Sequence, residues 1–172
     1  MLDINIVDAS LTIKNINKDS IEKIYSVYRN SVDFKYATGI FNTIYYNQFS
    51  QQVSQFILRK NVFFMDVFLS ISGEHIGLVK GSIIEKDKIA WINSLVISKQ
   101  HQLNGYGNRV VLLLENYLKN EYDVEIIYLS VYKSNSVGVN FWNKCGYKIC
   151  DNISNEILTN FNRTVLFMCK KL

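Results

Sequence analysis

The sequence predicts an α/β protein, an α+β mixed sheet flanked by helices, and two observations carry that prediction. From Val62 to Ile97 three apolar segments are separated only by Ser72-Gly73-Glu74 and Lys86-Asp87-Lys88, which reads as an antiparallel meander. After it come a long helical pattern, an apolar strand (Glu125–Val131), a short helix and two closing strands, the alternation that places helices on both faces of a mixed sheet. The expected order is β-α-α-β-β-β-α-β-α-β-β, in a single domain over 1–172.

Each element has a local reason. Residues 3–16 alternate in patches (Ile4, Ile6; Leu11, Ile13) and read as a first strand or a bent pair. Asp19 or Ser20 caps a helix with Ile21, Ile24, Tyr25, Val27 and Tyr28 on its apolar face. Asp33 to Asn42 lacks a period, contains Gly39 and reads as an aromatic loop. Thr43 then caps a second helix reaching about Arg59, with Tyr45, Tyr46, Phe49, Val53, Phe56 and Ile57 as its stripe. The long helix from Tyr106 to Asn120 buries Val110, Val111, Leu113, Leu114 and Tyr117. Ile126, Ile127, Leu129 and Val131 make the next strand nearly continuous in apolar character. Asn135 opens a short helix that ends at Cys145, with Gly146 as its C′ residue. Tyr147–Cys150 and Val165–Lys170 close the sheet, joined by a loop or hairpin around 152–162.

Composition narrows the function. Hydrophobic residues are 48% of the 172, enough for a sizeable core. The net charge of +4 is spread without a Lys/Arg run, which argues against nucleic acid and equally suits a small anionic ligand. Cys145, Cys150 and Cys169 form an odd set without CxxC spacing, so free thiols in a reducing cytoplasm are expected, with no zinc site and no other metal. The start Met1-Leu2-Asp3-Ile4 lacks the pattern of a signal peptide, and no apolar run approaches the ~20 residues that span a bilayer.

The stretch around which these elements are arranged is Leu95-Val96-Ile97 followed by Gln102-Leu103-Asn104-Gly105-Tyr106-Gly107-Asn108 and then the long helix. A strand that enters a glycine loop and a helix N-terminus offers several backbone N–H groups, and the positive end of the helix dipole, to one anion. Further on stands Asn135-Ser136-Val137-Gly138-Val139-Asn140-Phe141-Trp142-Asn143-Lys144-Cys145-Gly146-Tyr147. The two blocks, their separation and the element order resemble the acetyl-CoA-binding core of the GNAT superfamily of N-acyltransferases, whose loop reads Arg/Gln-x-x-Gly-x-Gly/Ala. The later helix of that family reads Asn-x-x-Ala-x-x-x-Tyr-x-x-x-Gly-Phe/Tyr.

The resemblance implies acetyl-CoA as co-substrate and direct transfer to a primary amine: a small amine, an amino acid or a peptide N-terminus. It implies that the loop Gln102–Asn108 cradles the pyrophosphate and that Leu95 and Ile97 pair with the pantetheine arm. A backbone N–H of Leu95 or Val96 would face the thioester oxygen, and Asn135 would contact pantetheine or cap its helix. Gln102 brings a hydrogen-bond donor but no charge where many relatives have Arg. Trp142 occupies the position of the family's acid tyrosine, and an indole N–H is no acid at neutral pH. Tyr132 is the alternative hydroxyl. Asn93 and Ser94 can hold a water as base, and Glu85 is the nearest carboxylate at a strand end. Asp33, Phe34, Tyr36 and Tyr45 are the expected acceptor residues. A cytoplasmic protein, monomeric or homodimeric, follows, with a catalytically silent acyl-CoA-binding module as the competing reading.

Overall fold

The computed structural model describes residues 1–17, 19–29, 31–150 and 164–172, without the side chains of 27, 28 and 31–33. Among the described residues, five α-helices and eight strands follow the order β1 (Asn5–Val7), β2 (Leu11–Asn15), α1 (Ser20–Arg29), α2 (Ser31–Thr38), α3 (Tyr46–Ile57), β3 (Val62–Leu69), β4 (His75–Ile84), β5 (Ile89–Ile97), α4 (Tyr106–Tyr122), β6 (Ile126–Tyr132), α5 (Ser136–Lys144), β7 (Lys148–Ile149) and β8 (Val165–Lys171). The eight strands form one sheet in the order β1-β2-β3-β4-β5-β6-β8-β7. β5 and β6 run parallel and the other neighbours antiparallel. The mixed α/β sheet flanked by helices is therefore the architecture the sequence led us to expect.

Each sheet face has its own core. On one, Val110, Val111, Leu114 and Leu118 of α4 and Trp142 of α5 cover Phe63, Met65, Val79, Ile92, Ile127 and Leu129. On the other, Ile24 of α1 and Phe49 and Val53 of α3 cover Phe64, Leu78 and Val96, with Phe34 and Ala37 of α2 at the margin.

Several local expectations are corrected. The aperiodic stretch from Asp33 is helical as far as Thr38, because α2 is held by packing and not by an amphipathic pattern; Gly39, at φ 72°, ends it. Asn17, and neither Asp19 nor Ser20, caps α1: its Oδ1 accepts from the Ser20 N–H at 2.9 Å. Thr43 does not cap α3, which starts at Tyr46 behind Tyr45 and ends at Ile57, short of Arg59. β6 alternates buried and half-exposed residues instead of being continuously buried, since its second face is only partly covered. Cys150 and Cys169 are paired in a disulfide, with Cα atoms 5.9 Å apart across β7 and β8, so of the three expected free thiols only Cys145 remains. The expected hairpin over 152–162 lies outside the described residues.

The β1–β2 turn is tied to the start of α4. Asp8 Oδ1 accepts from the N–H groups of Ser10 (2.8 Å) and Leu11 (2.6 Å), and Oδ2 accepts from Arg109 Nε at 2.6 Å and from Nη2. Burial of the carboxyl opposes its ionisation, but these donors outweigh that penalty and hold its pKa at about 2, below the ordinary 3.8. A depressed carboxyl pKa contributes stability that is present above pH ~4 and lost as pH falls toward 2. Asp8→Asn should therefore lower the melting temperature at pH 7 and flatten its fall between pH 4 and 2. Thermal melts across that range check this, and an acid limb identical to the parent's would contradict it.

Candidate functional site

The site begins where two parallel strands part. β5 and β6 pair from Ile89↔Ile126 to Ile92↔Leu129 and no further. Beyond that point β6 stays with β8 as far as Tyr132↔Val165, while β5 stays with β4 as far as Ile97↔Gly77. Asn93–Ile97 thus presents an unpaired backbone edge on its β6 side, the kind of edge to which an extended chain adds. The β4–β5 register shifts at the same place: Ser94 faces Lys80 and Ile92 faces Gly81, leaving Asn93 as the extra residue of a bulge. Asn93 is exposed, and Ser94 is 6% exposed. Glu85 stands in the turn before β5. From Ile89 to Leu95 are six residue steps of strand, about 20 Å, so Glu85 lies at the far end of β5 from Leu95.

The loop after β5 is built from backbone. Gln102 Nε2 donates to the Ile97 carbonyl at 2.8 Å, so this side chain pins the loop to the strand end. Leu103 (φ 64°) and Gly105 (φ 81°) both take left-handed conformations on either side of Asn104. Gly105 is the N-cap of α4, and no side chain bonds to the helix end from it. The first-turn N–H groups have no acceptor within a helix and sit at its positive pole, worth about 0.3–1 kcal/mol to an exposed anion. At Gly107 an added Cβ would lie 3.0 Å from Phe141 Cε2, so a glycine keeps α4 and α5 close below the loop.

Neighbouring side chains are engaged within the protein. Asn108 Oδ1 accepts from Cys145 Sγ at 2.8 Å, and Arg109 is bound by Asp8. His101 Nδ1 lies 2.9 Å from Ser98 Oγ, and its Nε2 lies 3.3 Å from Glu74 Oε1. An anion at this loop is met by main-chain N–H groups ahead of any side chain. That fits a pyrophosphate, and the uncapped end of α4 is the observation that it fits.

Asn135 caps α5, with Oδ1 accepting from the Gly138 N–H at 3.0 Å. Trp142 is 8% exposed and packs edge-on to Phe141 (4.9 Å) and Tyr147 (5.1 Å). It is a core residue beneath the splay. Burial pushes the Cys145 thiol up to about 11, and Glu115 adds to this against Lys170, so it stays protonated and is no nucleophile.

On the opposite sheet face α2 brings Tyr36 to Tyr132, with ring centroids 5.7 Å apart, and Phe41 lies 5.1 Å from the same tyrosine. Phe34 packs at the margin of the second core, and Tyr45 is 70% exposed at the start of α3. The Asp33 side chain lies outside the described residues. Sequence reasoning missed Trp91 and Tyr128, stacked at 5.3 Å and 24° where the splay opens, with Phe167 edge-on to Trp91 at 6.2 Å. Alternation along β5 and β6 was the available signal: Tyr128, Ser130 and Tyr132 share a face.

No group of three or more His, Cys, Asp or Glu among the described residues can hold a metal ion, and no helix among them is long and apolar enough to cross a membrane. A parallel pair that splays above a glycine-opened helix end offers an unpaired strand edge to an extended chain and main-chain N–H groups to an anion at its end. The acetyltransferase (GNAT) family model matches residues 22–147, and the chain belongs to that family of N-acetyltransferases. Its fold is similar to that of spermidine N-acetyltransferase from Vibrio cholerae, solved with CoA and spermine (TM-score 0.79, 18% identity, 95% of this chain and 96% of that one). It is also similar to PaiA N-acetyltransferase from Thermoplasma acidophilum, solved with coenzyme A (0.72, 23%, 95% and 99%). A putative ribosomal-protein-serine acetyltransferase from Vibrio cholerae follows at 0.77, 15%, 99% and 98%. No curated protein sequence matches the chain.

Proposed function

We propose that the protein transfers an acetyl group from acetyl-CoA to a primary amine, by direct attack with both substrates bound. The observation that carries this reading is the break in β5–β6 pairing after Ile92 and Leu129, directly before the loop and the open end of α4. Leu95, Val96 and Ile97 offer the edge along which a pantetheine arm lies. Main-chain N–H groups from Gln102 to Asn108 hold the pyrophosphate, with Gly105, Tyr106 and Gly107 at its centre and Leu103 and Asn104 shaping the turn. Asn135 and Trp142 support the seat from α5.

In the reaction the amine nitrogen bonds to the thioester carbon, the C–S bond breaks, and the amine proton leaves through water. Asn93 and Ser94, at the bulge, orient that water. The N–H of Leu95 or Val96 faces the carbonyl oxygen as charge develops on it. The thiolate is a tolerable leaving group, with a thiol pKa near ~8.5 taking cysteine as the model, and the Tyr132 hydroxyl stands at the end of β6 to protonate it. Acid help of this kind is worth about 10²–10⁴-fold, less than positioning can supply.

The burial of Trp142 favours one competitor, a silent acyl-CoA-binding module. Incubation with acetyl-CoA and a panel of amines, following free thiol, separates the two. Thiol release that depends on an amine is the expected result. CoA-induced stabilisation with no turnover for any amine would leave only the binding module, and no stabilisation at millimolar CoA would overturn both.

A further inference from the structure

The sheet face opposite α4 carries a surface that the transfer reaction itself does not explain. Partners in register share a face, which places Lys80, Ser82, Trp91, Ser94 and Tyr128 together across β4, β5 and β6. Trp91 and Tyr128 are both half-exposed and stack at 5.3 Å, with the buried Phe167 edge-on behind them. This shelf lies one residue pair before the strands part. Tyr132, on the same face of β6 four residues on, about 13 Å away, is covered by Tyr36 and Phe41. Exposed Ser130 and the bulged Asn93 lie between the two aromatic groups.

The charges on this face do not suit a polycation. The carboxylate of Asp66 is buried (2% exposed) and bound to His75 at 2.9 Å. Lys80 has no carboxylate partner among the described residues; its ammonium lies 4.1 Å from the Phe56 ring centroid and 5.6 Å from that of Phe64. Desolvation and the nearby Arg59 push its pKa down. A second ammonium on an acceptor would meet a cation here, and no free carboxylate of the described sheet face.

We infer that the acceptor is a monoamine with an aromatic or similarly flat apolar body, which lies on the Trp91–Tyr128 shelf and directs its amine toward the splay. This rests on the acetyltransferase reading and deepens it. Stacking against an indole and a phenol gives such a body both apolar burial and a preferred offset geometry. A polyamine offers neither a flat surface nor a charge that this face complements.

The test compares phenethylamine, butylamine and spermidine, by thiol release and by equilibrium binding to the CoA-loaded protein, in the parent and in Trp91→Ala. The parent should favour phenethylamine over the other two by about tenfold or more in kcat/KM. Trp91→Ala should lose about fivefold or more of that preference, consistent with the loss of a ring–ring contact. KM for acetyl-CoA and the CoA-induced thermal shift should stay at parental values. Trp91→Phe, which keeps a ring, should retain most of the preference.

Preference for spermidine, or equal losses for phenethylamine and butylamine in Trp91→Ala, would overturn the assignment. Should no amine turn over, binding still decides: phenethylamine held tenfold more tightly than spermidine in a Trp91-dependent manner supports the shelf even as the acetyltransferase reading falls. Equal binding of the three overturns the shelf independently of turnover.

Discussion

Gly107→Trp is expected to abolish CoA binding at concentrations that saturate the parent, a loss of about 100-fold or more, equivalent to about 2.7 kcal/mol. At this position an added Cβ already meets Phe141 Cε2 at 3.0 Å and Phe141 Cζ at 3.3 Å. An indole cannot continue toward Phe141, so it must turn up into the first turn of α4, where the N–H groups converge. The ligand loses its seat while the helix keeps its hydrogen bonds. Gly107→Ala is the companion, because Phe141 can give by a few tenths of an ångström. It should weaken CoA by only severalfold and melt close to the parent. The measurement is the CoA-dependent rise in melting temperature for each variant, with the ligand-free melt as control for folding. Parental CoA affinity in Gly107→Trp would remove the pyrophosphate from this loop.

The contrast between these two variants mirrors what the sequence could convey. Strand Ile89–Ile97, the glycine loop at Gly105, the cap at Asn135 and the C′ place of Gly146 were all legible, because each follows from a rule about one or a few adjacent residues. Helix α2 was not: its positions show no 3.6-residue period, and it is held from outside by contact with β5 and β6. The bulge at Asn93 depends on a register between two strands, which no single strand records. Side-chain commitments were equally hidden. Gln102 reads as a ligand donor until its amide is found on the Ile97 carbonyl, and the tie between Arg109 and Asp8 joins residues far apart in sequence. Trp142 falls at the motif's acid position, yet whether an aromatic there faces the core or the ligand is decided by Phe141 and Tyr147 around it.

That distinction has a chemical consequence. The part of the site that binds is backbone, and backbone geometry follows from glycines, caps and strand patterns. The part that reacts consists of side chains around a gap between strands, set by tertiary packing. The donor loop is thus legible in local sequence, whereas the shared face of Trp91, Tyr128 and Tyr132 appears only once the sheet is assembled.

Lys170→Met should be strongly destabilising. Lys170 Nζ lies 2.6 Å from Glu115 Oε2 and donates to the Cys145 carbonyl at 3.0 Å, joining β8 to α4 and to the end of α5. Glu115 is 5% exposed. Its second oxygen lacks a partner of ordinary hydrogen-bond geometry among the described residues, and the buried Tyr147 hydroxyl is the neutral polar group that faces the carboxylate, so Lys170 is its compensating charge. Burial, and then the charge of Glu115, push the Tyr147 pKa up, so the phenol stays neutral beside it. Removing the lysine leaves the buried carboxylate without its cation, a loss of about 3 kcal/mol. At about 2–4 °C per kcal/mol for a chain of this size, the melting temperature should fall by about 6–12 °C. The double variant Glu115→Met with Lys170→Met should recover most of that loss, because an apolar pair of similar volume has no charge to desolvate. A double-mutant cycle by denaturant unfolding measures the coupling. A Lys170→Met protein within 1 kcal/mol of the parent (the spread of ordinary surface changes is about ±0.5 kcal/mol) would show that water reaches Glu115, and that the ion pair does not hold α5 against α4.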